Sequence, residues 1–235
     1  MWAWVLWTAV PDAGVIERAP RAVSWSRDLA PTDARRLAPA LDSALEEPWD
    51  TRNFKTGEER QVTNCRQALT LPDGFEPLGP ESDYPVFVAM QVRCRVLAEL
   101  PSLKPALLDY LGAFALDDAR LDELPAVLIP TASRNEQRAL EAATAKRVSW
   151  KLADTGVRAG KPRHGKVLIE SPRTRCFVEV LARGDIDGDG IEDLFLWRSG
   201  GGRKGTWATT DVFVLTRRTA EGRIEIIRRI GYPAK

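Results

Sequence analysis

Residues 174–198 read TRCFVEVLARGDIDGDGIEDLFLWR, and this stretch decides the fold. Cys176-Phe-Val-Glu-Val-Leu on one side and Leu194-Phe-Leu-Trp on the other alternate as strands do, so the acidic centre is a short connection between two strands. Within it Asp185, Asp187 and Asp189 recur at every second position, the Ile191 carbonyl falls at position seven and Asp193 at position nine. Calcium is a hard cation that takes about six to eight oxygens, and alternating aspartates in a tight loop turn successive carboxylates toward one centre. Gly188 and Gly190 permit the backbone reversals such a loop needs. A metal-free Asp/Gly turn explains the segment less well, because four converging carboxylates without a cation repel one another. Asp185, Asp187, Asp189, Ile191 and Asp193 are therefore the candidate Ca2+ ligands.

The segment resembles the DxDGDGxxD loops of FG-GAP and integrin-type β-propeller repeats. An EF-hand loop would place a bidentate Glu at position twelve between helices; position twelve here is Leu196, and the flanks are strands. The likeness spans about a dozen residues in a single copy. Propellers need the motif to recur blade by blade, so the resemblance implies a calcium loop and not the propeller fold.

Working outward, β-branched and aromatic residues alternate with polar ones after about residue 148. The segments 166–170, 174–183, 194–198, 206–216 and 224–230 predict an antiparallel meander across 151–235. Upstream, 32–150 reads as mainly helical. Leu37, Leu41, Ala44 and Leu45 sit at helical spacing, and Tyr84 to Leu100 places Phe87, Met90, Cys94 and Leu97 on one face with Pro85 in the first turn. Further helices are expected at 103–114 and 118–124, and one from Ser133, where Ser-Arg-Asn-Glu136 forms a capping box. Pro and Gly punctuate 46–83, which reads mostly as loop around a short ordered piece from Cys65 to Leu71. Residues 1–31 are an irregular lead-in or the remnant of an export signal; a tryptophan-rich first element packed on the body is the alternative. The expected class is α+β, a helical N-terminal half on a C-terminal antiparallel sheet with a calcium hairpin, in two regions or one integrated domain.

Lys+Arg 34 against Asp+Glu 33 leaves a net charge of +1, which offers no bulk field for nucleic acid or an anionic membrane. Basic pairs such as Arg217-Arg218 read as solvated faces. The apolar opening is too short to span a bilayer, where about 20 residues are needed. Cys65 and Cys94, in similar surroundings, are the candidate disulfide pair, with free thiols the alternative, and Cys176 in its strand reads as a buried thiol. No GxSxG or HExxH motif occurs, and the lone His164 has no nucleophile beside it. Asp117-Asp118 read as helix caps, and Trp25, Trp49, Trp150, Trp197 and Trp207 as core or edge packing.

Ser199, Gly200, Gly201, Gly202, Arg203, Lys204 and Gly205 lack P-loop spacing and precede a strand, so they read as a flexible loop with a cationic tip suited to a partner's cleft. The calcium hairpin one strand away is expected to hold that loop's base. Together these features predict a non-enzymatic, calcium-binding periplasmic or secreted protein that binds a protein partner. By fold-level analogy it is similar to periplasmic immunity proteins and inhibitors of secreted lytic enzymes or toxins. A calcium-dependent cell-wall or polysaccharide hydrolase and an adhesin or carbohydrate-binding module stand as alternatives.

Overall fold

Tyr84–Glu99 shows how the ambiguous stretches resolve: Val88, Met90, Val92, Cys94 and Val96 fall at every second position as in a strand, yet the four-residue spacing of Val88, Val92 and Val96 also puts them on one helical face. A computed structural model describes residues 24–25, 37–48, 52–56, 58–71, 76–78, 84–112, 114–163, 165–204 and 207–231. The lead-in 1–31 apart from Ser24–Trp25, together with Trp49, His164 and Gly205, lies outside them. In chain order the described elements begin with β1 (Ser24–Trp25), α1 (Leu37–Glu46), β2 (Arg52–Thr56), β3 (Glu58–Val62), α2 (Cys65–Ala68), β4 (Glu76–Leu78) and α3 (Tyr84–Glu99). Next come α4 (Arg134–Ala145), α5 (Trp150–Ala153), β5 (Arg158–Ala159), β6 (Lys166–Glu170), β7 (Thr174–Gly184), β8 (Asp193–Gly202), β9 (Ala208–Thr216) and β10 (Glu225–Gly231).

The strands β5 to β10 form an antiparallel meander in sequence order, with β1 pairing beside β7, and the class is α+β. Both faces are covered. Val178, Leu196 and Phe213 pack with Leu121, Leu124, Leu128 and Trp150, while Ala182, Phe195, Val212 and Val214 pack against Phe87, Val92 and Leu97 of α3. A bulge between Val180 and Ala182 adds one residue to β7, so Leu181 joins Ala182 in the cluster beneath α3. Burial of both faces explains why Leu194, Phe195 and Leu196 run without a polar break: all three are fully buried. Arg198 shares that interior, its Nη1 donating to the Leu128 carbonyl at 2.8 Å and its guanidinium paired with Asp211 one strand over. A second arginine, Arg229, reaches the same carboxylate at 2.7 Å.

Four expectations need correction. Residues 52–62 and 76–78, expected as loop, form the three-stranded sheet β3-β2-β4; RNFKT and EERQV are polar strands without apolar alternation, so periodicity does not reveal them. No helix forms among the described residues of 103–114. Pro101 and Pro105 bracket a chain whose backbone groups bond to the acidic turn instead of to one another. At 118–124 only a 3₁₀ turn over Arg120–Asp122 appears, entered by Asp117, whose Oδ1 accepts the Arg120 N–H at 2.8 Å. At α4 the capping box is shifted by one residue: Ser133 Oγ accepts the Glu136 N–H, but the Glu136 carboxylate accepts from Ala132.

Cys65 and Cys94 join α2 to α3 as a disulfide, their Cα atoms 5.0 Å apart, and Cys176 is a free buried thiol that burial pushes up to about 12. Replacing Cys65 and Cys94 together by alanine is expected to cost about 3 kcal/mol of stability, from the extra freedom of an uncrosslinked unfolded chain. Urea unfolding in oxidised and reduced protein measures the loss, and peptide mapping should find Cys176 reduced in both.

Candidate metal centre

The acidic turn closes on itself through its own carboxylates. Asp185 accepts the N–H groups of Gly188 at 2.7 Å and Gly190 at 3.0 Å, Asp187 that of Asp189 at 3.2 Å, and Asp189 that of Ile191 at 2.8 Å. Asp193 Oδ2 accepts the Ile186 N–H at 2.9 Å, so the far end of the turn is tied to its beginning. Gly188 (φ +83) and Gly190 (φ +82) take the left-handed backbone the turn demands. Asp185, Asp187 and Asp193 thereby bring one carboxylate oxygen each within 4.8 Å of one another, a set able to hold a metal ion. Asp189 is not among these three. Its Oδ2 faces Arg218, which also reaches Asp187 at 3.3 Å.

Asp193 carries the decisive detail. It is fully buried, and its second oxygen, Oδ1, has no hydrogen-bond partner. Burial pushes its pKa up to about 6, against the opposing pull of the Ile186 N–H; the Thr216 hydroxyl, directly across in register, lies close enough to favour the charge without meeting hydrogen-bond geometry. A buried carboxylate with one oxygen unpaired, in a cluster with two other carboxylates, is costly to keep charged, and an all-carboxylate donor set of this kind fits a hard, oxygen-loving metal.

Residues that motif reading passed over brace the turn. The segment expected as a helix runs along it: Lys104 exchanges both backbone hydrogen bonds with Asp185, Leu107 and Leu108 donate to the Gly190 carbonyl, and Leu108 accepts from Glu192 at 2.7 Å. Glu192 points away from the cluster to Arg183 at 2.9 Å, which agrees with Asp193 rather than its neighbour being the inward carboxylate. Arg218, half of a pair read as a solvated face, is the turn's counter-charge. Only the density of acids at 185–193 signals that some cation must answer them.

The glycine stretch is different from its sequence reading. Ser199 to Gly202 belong to β8, and the connection to β9 starts at Arg203. A Cβ at Gly200 would lie 2.2 Å from the Arg175 carbonyl oxygen, one at Gly201 1.9 Å from that of Trp207, and one at Gly202 2.6 Å from the Trp207 indole nitrogen. Crowding, not flexibility, selects these glycines. The tip also lies at the far end of β8 from the acidic turn, about 30 Å away for ten extended residues, so the turn does not hold its base.

Two concavities flank the sheet. A cleft of about 1230 Å³ is lined in part by Glu123, Phe213, Arg217, Ile224 and Arg229, and a cavity of about 480 Å³ near the tip by Leu140, Arg173, Lys204 and Trp207. Trp150 and Trp197 pack in the two cores.

With no metal present, Asp193 makes stability depend on pH. Its folded pKa is raised above the ordinary value, so the folded state binds the extra proton between about pH 4 and 6 and this group's contribution falls as pH rises through that window. Asp193→Asn in chelator should remove that slope and leave the protein about 1–2 kcal/mol more stable at pH 7, since no charge is then buried. Thermal unfolding from pH 4 to 7 measures both. Compared with known families, curated proteins and solved structures, the chain matches none.

Proposed function

We propose that the chain is a non-enzymatic, calcium-binding protein of the cell envelope, periplasmic or secreted, that binds a protein partner, in the manner of an immunity protein or an inhibitor of a secreted lytic enzyme or toxin. The observation that carries the calcium reading is the cluster of Asp185, Asp187 and Asp193, in which the fully buried Asp193 keeps one oxygen without a hydrogen-bond partner. An all-oxygen set in a flexible turn suits calcium better than magnesium, which demands near-ideal octahedral geometry and sheds water reluctantly. The likeness to FG-GAP loops points the same way. In that arrangement Asp189 and the Ile191 carbonyl complete the protein ligands, and water supplies the rest.

Partner binding rests on the β8–β9 tip. Exposed Arg203 and Lys204 project from a strand pair that close packing keeps stiff, and Arg173 and Lys204 border the smaller cavity. Enzymes that cleave glycan strands work through carboxylate pairs, so a cationic tip is electrostatically suited to such a cleft. Compartment is argued from the disulfide, which persists in oxidising surroundings. No helix among the described residues is long and apolar enough to cross a membrane.

The hydrolase reading would put chemistry in the larger cleft. There Asp122 is held by Lys151 at 2.7 Å and Glu123 by Arg120 and Arg217, which commits both carboxylates to ion pairs rather than proton transfer. A carbohydrate platform needs coplanar exposed tryptophans; Trp150 is buried, Trp197 packs in a core and Trp207 lies against Gly202.

Calorimetry on protein stripped with chelator should show calcium binding that Asp185→Ala and Asp187→Ala abolish, and the melting temperature should rise with calcium, by an amount equivalent to about 2.7 kcal/mol at one hundred times Kd. Unchanged heats in the double variant would refute the site. Arg203→Glu with Lys204→Glu should weaken binding of a partner recovered by pull-down at least about tenfold, the size expected for reversing charges at an electrostatic contact, with calcium affinity unchanged. Equal binding by this variant would refute the tip.

A further inference from the structure

We infer that Arg218, from the turn between β9 and β10, is an internal counter-cation of the acidic turn that a bound dication must displace, and that this residue therefore sets the cation affinity of the site. The inference rests on the calcium reading above. Its own grounds are geometric. The Arg218 guanidinium spans Asp187, at 3.3 Å, and Asp189, holding a member of the three-oxygen cluster with one nitrogen and an expected ligand outside that cluster with another. Both contacts raise the arginine's own pKa, as a charge balanced by two carboxylates must be.

A dication drawing on Asp185, Asp187 and the buried Asp193 would stand within a few ångströms of that guanidinium, and like charges at such separation repel strongly. Recruiting Asp189 adds a second cost, because its Oδ2 must leave Arg218 to turn inward. Metal and arginine thus compete for the same two carboxylates. The competition leaves Arg218 a place to go: its Nε lies 3.8 Å from Glu225 at the start of β10, so a displaced guanidinium can transfer to that exposed carboxylate without crossing the turn. The same connection, through Arg217 and Gly222, borders the large cleft.

The test compares calcium chloride titrations of chelator-stripped wild type, Arg218→Gln, Arg218→Lys and Arg223→Gln. Arg223 lies in the same connection and donates to the Arg147 carbonyl at 2.8 Å, so its replacement removes an equal charge without touching the aspartates. Arg218→Gln should bind calcium about five- to tenfold more tightly, the size expected when two partly exposed ion pairs no longer have to be broken; Arg218→Lys should fall between it and wild type, and Arg223→Gln should stay within about twofold of wild type. Calcium binding by Arg218→Gln alone would also support displacement. Unfolding adds a second readout: Arg218→Gln should lower the melting temperature in chelator and leave it unchanged at saturating calcium. If wild type binds calcium and Arg218→Gln binds no more tightly, or if Arg223→Gln tightens as much, the inference fails and the calcium reading stands. If none of the four proteins binds, the calcium reading itself fails.

Discussion

Mutual repulsion among carboxylates is the constraint around which this molecule is arranged. The connection between the two longest strands, the hinge point of the whole meander, is also where acids are most concentrated. Backbone N–H groups from within the turn absorb part of that charge, a strap from 104 to 108 braces it from outside, and Arg218 reaches in from the next connection but one. Because β7 pairs with β8 over nearly its full length, the conformation of those few residues sets the register in which the central strands meet. One oxygen of Asp193 is left without a hydrogen-bond partner among the described residues, in a cluster of three carboxylates that could hold a metal ion.

Buried charge recurs in the sheet in a form that needs no outside help. Arg198 is enclosed between the covering layers, where Asp211 and the Leu128 carbonyl take its two terminal nitrogens while Nε keeps no partner among the described residues, and the guanidinium carbon lies 5.1 Å from the centroid of the Phe213 ring. Truncating either partner of such a pair is far costlier than replacing both, because the survivor is left charged in a dry interior. The contrast with Asp193 is instructive. One buried ion arrives with its counter-ion built into the neighbouring strand, the other without.

Strand positions from 166 onward were legible because residues there alternate or run apolar, and the same periodicity placed α1, α3 and α4. The acidic residues announced the candidate site, since no other arrangement of three alternate aspartates needs explaining in the same way. What stayed hidden lacked a local signal. The sequence at 52–62 is mostly polar and shows no apolar alternation, and the 103–114 segment has helix-forming residues whose backbone groups are claimed by a turn some eighty positions later. Glycines at 200–202 looked mobile because their reason for being small, the approach of Arg175 and Trp207, is supplied by neighbouring strands. Arg218 was invisible as a ligand-competing group because sequence shows a basic pair, not what it faces.

On the proposed function the two ends of β8 would do different work, and the separation between them would have a consequence for regulation. A strand locked on both sides by neighbours is a poor lever: it transmits neither rotation nor small displacements without breaking its register. A cation bound at the acidic turn would therefore have little means of changing the shape of the proposed recognition tip at the other end. Its influence would be exercised on the number of intact molecules rather than on the grip of each, so that scarcity of the ion thins the supply of competent protein while every surviving copy binds as before.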